Sequence, residues 1–451
     1  MEFKRKIYNQ LLEWKKNSHG DSALLIEGAR RVGKSFICEK FAQQEYKSYI
    51  LIDFSNANKA LLKIFDDYGQ DLDEFFMYLS TYFNIKLYPR NSLIIFDEVQ
   101  LYPKARSLIK HFVKDGRYDY IETGSLISIK QNVEDILIPS EEDSITLYPM
   151  DFEEFCWAMD DTMSIPFIKK HFENKKPLGE LMHKKMMNLF KTYCLVGGMP
   201  QAVSKYIETK DFHEVDKVKR RILRLYRNDV TKFAKGYEYK VLDIFDNIPA
   251  QLSKHEKKFK LSSLSKNARM RNYEESFIWL KEAMITNLCF NSTDPNVGLS
   301  LSKDHSTFKC YFMDTGLLIT QAFQDDLITT DNVYKAILFD KLEINEGMII
   351  ENAIAQALRT NGHHLYFYSR YDKENRDNTM EIDFLIKEET MTKAKISPIE
   401  VKSGKRYSFS SLEKFRNKYS SRVKECYILH TQDLQCKNGY TFLPLYMAIF
   451  L

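Results

Sequence analysis

The chain has 451 residues, 44% of them apolar and 28% charged, which is too long for one ordinary domain and apolar enough to build several cores. A formal net charge of +4 is too small to mark the whole chain as a polyanion binder. Seven cysteines lie scattered with no C-x-x-C pair and no histidine cluster, a pattern that speaks against a zinc site and a disulfide-stapled secreted fold. No apolar run reaches the ~18 residues of a membrane span. The basic N-terminus has no apolar segment behind it, so the expected compartment is cytoplasmic and no membrane partner is expected.

In chain order, Phe3 to Asn17 carries Ile7, Leu11, Leu12 and Trp14 at helical spacing. Leu24 onward reads as an apolar strand running into Gly28-Ala29-Arg30-Arg31-Val32-Gly33-Lys34-Ser35, a G-x-x-x-x-G-K-S loop, with Phe36 opening the next helix. Its glycines let the backbone curl so that N–H groups face inward as a nest for phosphate oxygens, and the helix points its positive end at the same spot. Residues 28–36 are thus the expected ATP-binding segment, with Lys34 reaching the β- and γ-phosphates and Ser35 on Mg²⁺.

Ser48 to Phe54 reads as a buried strand and 57–83 as helix. Ser92 to Gln100 is an apolar strand ending in Asp97-Glu98, the carboxyl edge where open α/β sheets bind ligands. Asp97 is expected to hold Mg²⁺, and the catalytic pair is Lys34 and Glu98, the latter accepting a proton from the attacking water. Tyr118 to Ser125 is a third strand, with Thr123 and Ser125 as candidate γ-phosphate sensors, and Ile145 to Met150 a fourth. Strands alternating with helices imply a parallel, helix-covered sheet. No arginine occurs from Asp119 to Lys219, so any arginine finger must be Arg106, Arg117 or a later residue, and the oligomeric state stays open.

Asp151 starts a helical region broken at Val196-Gly197-Gly198-Met199-Pro200. Between Val215 and Val230, Lys217, Lys219, Arg220, Arg221, Arg224 and Arg227 interleave with an Ile/Leu stripe; a solvated face suits this pattern better than phosphate contact. Phe259 to Leu288 reads as a helix-turn-helix whose Lys266, Arg269, Arg271 and Asn272 could meet DNA, followed by a wing or loop over 291–303. The last part has a helix over 345–360 and strands at 365–368, 380–386, 397–403 and 426–430. Glu400 and Lys402 are two apart and share a strand face. With Asp383 on the preceding strand and Glu351 on the helix, they form the nuclease set of restriction-endonuclease-like folds: carboxylates for Mg²⁺ and a lysine for the attacking water.

With those residues in view, the chain resembles a large prokaryotic family that joins an AAA-type P-loop ATPase domain to a C-terminal domain of unknown function with a restriction-endonuclease-like core. The matching pieces are the loop at 28–35, Phe96-Asp97-Glu98-Val99-Gln100, Thr123-Gly124-Ser125, Gly197-Gly198-Met199-Pro200, the run from Tyr311 to Leu317, Glu351-Asn352, and Glu381-Ile382-Asp383 with Glu400-Val401-Lys402. The resemblance implies ATP binding, hydrolysis and an intervening winged-helix-like segment. The expected fold is α/β multidomain: a P-loop ATPase domain over 1–150, a helical lid or linker over 151–240, a winged-helix-like segment over 241–330 and a restriction-endonuclease-like domain over 331–451. The expected function is an Mg-dependent ATPase whose nucleotide state controls a C-terminal module that binds DNA or protein. Two alternatives stand beside it: an ATP-regulated nuclease using Asp383, Glu400 and Lys402, and a nucleotide-gated switch with negligible turnover. A small-molecule kinase is disfavoured by Asp97-Glu98.

Overall fold

The computed structural model describes residues 1–124, 140–254, 256–324, 334, 346–388, 395–404 and 406–451. They fold as two compact units, one of 4–148 with 282–284 and one of 1–3, 149–281 and 285–451.

In the first unit, five parallel strands form one sheet: β1 (Ala23–Glu27), β2 (Ser48–Asp53), β3 (Ser92–Asp97), β4 (Asp119–Gly124) and β5 (Glu142–Thr146). Their spatial order is β2-β3-β4-β1-β5, so β4 separates the strand before the loop from the strand that ends in Asp97. All six residues of β3 are buried, and Phe96 lies among Phe54, Phe65, Phe112 and Tyr120 with ring centroids 6.0–6.4 Å apart. That aromatic packing fixes the strand whose tip carries Asp97.

Two expectations shift here. The helix expected over 57–83 is two helices, Lys59–Tyr68 and Leu72–Phe83. Asp71 caps the second by accepting from the Glu74 N–H at 3.2 Å, which stops the first from running on. The fourth strand expected at 145–150 is at Glu142–Thr146. It lies at the sheet edge against β1, where Glu142, Asp143 and Ser144 are tolerated and apolar runs are a poor guide.

The second unit opens with helices from Phe152 to Leu252 and carries a mixed sheet of eight strands. Its strands are β6 (Thr286–Ser292), β7 (Lys303–Phe312), β8 (Tyr366–Arg370), β9 (Met380–Glu388), β10 (Lys395–Val401), β11 (Tyr427–His430), β12 (Gln435–Lys437) and β13 (Tyr440–Pro444), in the order β12-β13-β11-β10-β9-β8-β6-β7. The helix-turn-helix expected at 259–288 is not formed. Residues 261–263 and 270–272 are single 3₁₀ turns, and the one helix there, Glu274–Glu282, stops before β6. Thr286, Asn287 and Leu288, the end of the stretch, lie in β6 and pair with β7, and β6 also pairs in parallel with β8 at Phe290 and Asn291. Pairing with β7 from Thr286 onward claims the last residues of the expected helix.

On the long helix Phe212–Phe233, Lys219 is buried, Arg220 bonds Asp216 at 2.7 Å and Arg227 bonds Asp246, while Arg221 and Arg224 are exposed. The inward half of its cations therefore serves packing.

The Gly-Gly motif has a steric reason. Asp314 accepts from the Gly198 N–H at 2.6 Å and the Leu317 N–H at 2.9 Å, capping the helix Thr315–Ala322 while gripping the other chain segment. A Cβ on Gly198 would lie 2.1 Å from the Met150 carbonyl oxygen. Gly198→Ala is expected to cost about 2–3 kcal/mol and to lower the melting temperature by several degrees. An unchanged melting curve would show that the 150 backbone can withdraw.

Candidate functional site

The loop after β1 has positive φ at Arg31 (72°) and Gly33 (100°), an alternation that turns successive N–H groups to the inside of the curl. Glycine takes this backbone freely, whereas Arg31 bears a cost of ~1 kcal/mol. The fully buried Val32 accepts at its carbonyl from Arg5 Nη1 at 3.0 Å, and Arg5 Nη2 donates to the Tyr148 carbonyl at 2.7 Å. No motif marks Arg5, yet it holds the loop from behind.

Lys34 is buried and donates to the carbonyls of Gly28 and Ala29 at 2.9 and 3.1 Å. Burial pulls its ammonium below the usual lysine range, opposed by the nearby Glu98 and Asp97 carboxylates. Arg30, Arg31 and Phe36 are exposed.

Ser35 Oγ donates to Asp97 Oδ1 at 2.8 Å, and the Thr123 hydroxyl donates to the same oxygen. Burial pushes the Asp97 carboxyl up, and these two bonds offset that only in part. Glu98 has a left-handed backbone (φ 55°, ψ 46°), which costs on the order of 1 kcal/mol and turns the chain sharply off the strand. Its N–H donates to Thr123 Oγ1 at 3.4 Å, and its carboxylate accepts from the buried Gln100 amide. The sequence therefore brings Lys34, Ser35, Asp97, Glu98 and Thr123 to one sheet edge. Ser125 lies outside the described residues. Ser35 and Asp97 offer paired hard oxygens, a donor set that suits Mg²⁺.

Arg106 and Arg117, the arginines named from sequence as possible fingers, each hold carboxylates of their own unit. Arg106 is buried and holds Glu142 through two bonds of 2.7 and 3.2 Å. Arg117 bonds Asp73 and Asp115, each at 2.7 Å.

The second constellation assembles too, with additions. Asp383 on β9, Glu400 on β10, Lys402 just past its end, where the strand expected through 403 has already stopped at Val401, and Glu351 on the helix Glu346–Thr360 line one cavity of about 990 Å³. A buried lysine from β7, Lys309, stands among the carboxylates: 3.1 Å from Glu351, 3.4 Å from Asp383 and 3.5 Å from Glu381. Burial alone would lower its pKa, but Glu351, Asp383 and Glu381 outweigh burial and hold the ammonium well above the usual range. Glu351 also accepts from Tyr311 and Lys257, and against the effect of burial the Lys309 and Lys257 cations, with the Tyr311 hydroxyl, keep it ionised down to about 2. Asp383 Oδ2 accepts from the Val401 N–H at 2.9 Å. Lys402 bonds Glu400 Oε2 at 2.7 Å, while Glu400 Oε1 is buried with no hydrogen-bond partner. This donor set does not fit Mg²⁺. Both oxygens of Glu351 and of Asp383 already face protein donors, and among the described residues no group of three or more His, Cys, Asp and Glu is gathered for a metal.

Burial, with Asp383 adding to it, pushes Glu400 up from 4.5 to about 8. A raised carboxyl costs the fold nothing below the unfolded value, and the cost grows as pH rises from 4.5 towards 8. Glu400→Gln is therefore expected to match wild type in thermal melts below pH 4.5 and to gain stability up to pH 8, by on the order of a few kcal/mol. A gain independent of pH would contradict this.

Residues 20–156 match the AAA domain family, while residues 187–327 and 346–448 match two domains of unknown function, DUF8612 and DUF4143. No curated protein matches the chain. Among solved structures, the chain is similar to a Walker-type ATPase of Pyrococcus abyssi at 15% identity over 71% of this chain and 96% of that one, with a TM-score of 0.41. A STAND signal-transduction ATPase with a tetratricopeptide repeat sensor from Pyrococcus horikoshii follows at 11% identity, over 79% and 48%, with a TM-score of 0.29. Cdc6p of Pyrobaculum aerophilum follows at 10% identity, over 74% and 94%, with a TM-score of 0.23. At these scores the likenesses carry no functional argument. Residues 20–156, which match the AAA domain model, hold the phosphate loop at the carboxyl edge of the five-stranded parallel sheet.

Proposed function

We propose that the chain is an Mg-dependent ATPase whose nucleotide state sets the binding behaviour of its C-terminal unit towards DNA or a protein. The observation that carries the ATPase reading is the contact of Ser35 with Asp97 at 2.8 Å, with Glu98 next in the chain and Lys34 buried beside them. Ser35 and Asp97 would hold Mg²⁺, which would supply charge neutralisation at the phosphates. The loop N–H groups at 28–35 receive the phosphates, and Lys34 exchanges its two carbonyl partners for phosphate oxygens. Thr123 keeps Asp97 oriented through its hydroxyl. Glu98 orients the attacking water and takes its proton. Gln100 is the positioning residue for Glu98.

Glu98→Gln is expected to lower ATP turnover by about 10²- to 10⁴-fold while nucleotide binding persists. Lys34→Ala is expected to abolish binding. Gln100→Ala is expected to reduce kcat about tenfold with ATP affinity unchanged, because it loosens Glu98 and leaves the loop intact. The deciding assay is steady-state ATP hydrolysis by wild type and Glu98→Gln, with and without double-stranded DNA. Turnover lost in the variant and raised by DNA supports a DNA-responsive ATPase. Turnover lost but indifferent to DNA points the C-terminal unit towards a protein partner. Wild-type turnover no greater than that of the variant removes the ATPase reading and leaves a nucleotide-gated switch.

A further inference from the structure

The C-terminal cavity presents a conflict between its residues and the metal chemistry that their types suggest. A divalent cation such as Mg²⁺ needs several oxygens converging at one point, with near-octahedral geometry. Here the four oxygens of Glu351 and Asp383 are already in contact with Lys257, Lys309, Tyr311 and the Val401 N–H. Among the described carboxylates of the cavity, Glu400 Oε1 is buried without a partner. Lys309 itself is 1% exposed, comes from a strand outside the Glu-x-Lys motif, and lies within 3.5 Å of three carboxylates. With Lys257 on Glu351 and Lys258 on Glu381, Lys309 brings the cations facing Glu351, Glu381 and Asp383 to three, the neutralisation that a bound cation would otherwise supply. Removing one partner of a buried pair leaves the other charge uncompensated, so Lys309 does not yield its place cheaply.

We propose that Lys309 is the resident cation of this nest, an internal ammonium standing where a divalent metal would stand, so that the C-terminal cavity receives its ligand without a metal. The consequence is that Asp383, Glu400 and Lys402 do not form a metal-dependent cleavage centre in the wild-type chain. The inference is independent of ATP hydrolysis and would survive its failure.

The test is Mn²⁺ binding to the full, nucleotide-free chain, followed by the electron paramagnetic resonance signal of free Mn²⁺, for wild type, Asp383→Asn, Lys309→Met and Lys309→Met with Asp383→Asn. Wild type and Asp383→Asn are expected to bind the same amount, which subtracts any contribution of Ser35 and Asp97. Lys309→Met is expected to gain one Mn²⁺ per chain, and the double variant to lose it. Should Lys309→Met be too unstable to assay at rest, a rise in its melting temperature with Mn²⁺, absent in the double variant, reports the same gain. A wild-type site that Asp383→Asn removes would overturn the proposal, since the metal would then displace Lys309. So would a folded Lys309→Met that gains no Mn²⁺ and whose melting point does not respond to the ion.

Discussion

A charge taken out of water must be answered by something nearby, or it costs several kcal/mol. Both candidate sites are arranged around that demand. At the end of β3, the buried Asp97 is answered by two hydroxyls, from Ser35 and Thr123. In the C-terminal cavity, Glu351 and Asp383 are answered by ammonium groups, a phenol and a backbone N–H. Strand order follows from the same demand in the first unit: placing β4 between β1 and β3 delivers the Thr123 hydroxyl between the loop and Asp97. The aromatic cluster around Phe96 then holds β3 in register, so that Asp97 and Ser35 meet at 2.8 Å.

Much of the first site was legible because its chemistry is contiguous in the chain. Gly28 to Ser35 is one segment, Asp97-Glu98 is another, and a parallel sheet carries both to the same edge. The members missed were those whose partners lie far away. Arg5 reaches the carbonyl of a residue 143 positions on, and nothing about an arginine near an amphipathic helix announces that. Lys309 lies 42 positions from Glu351 and 74 from Asp383, in a strand whose pattern reads as ordinary. One cue was present: a lysine flanked by Phe308 and Cys310 in a run that is otherwise buried needs a partner of opposite charge. Gln100 could also have been read from its place two residues after Glu98.

The middle of the chain misled for a different reason. Residues 259–288 have helical spacing and basic residues at a plausible turn, yet the helix there is Glu274–Glu282 alone, and pairing with β7 captures Thr286 to Leu288. A pattern of period 3.6 over a short window does not show ladder bonds supplied by Cys310 to Phe312, further along the chain. The Gly197-Gly198 pair, by contrast, was visible as a break but not as a contact, because its partner Asp314 lies 116 positions away.

The two buried lysines separate the sites by what a ligand must displace. Lys34 bonds two carbonyl oxygens, which carry no formal charge. A phosphate brings charge to that ammonium, and charge-assisted bonds are roughly twice as strong as neutral ones, so the exchange runs towards the ligand. Lys309 already faces three carboxylates. An anion arriving there gains nothing from the ammonium that the carboxylates do not already take, and meets their repulsion as well. A cation arriving there must first evict the ammonium and leave it buried without a partner. The first lysine is poised to change partners, and the second is built to keep them. The same element of chemistry therefore marks one site as a place where a ligand's charge is received and the other as a place where the charge is already settled.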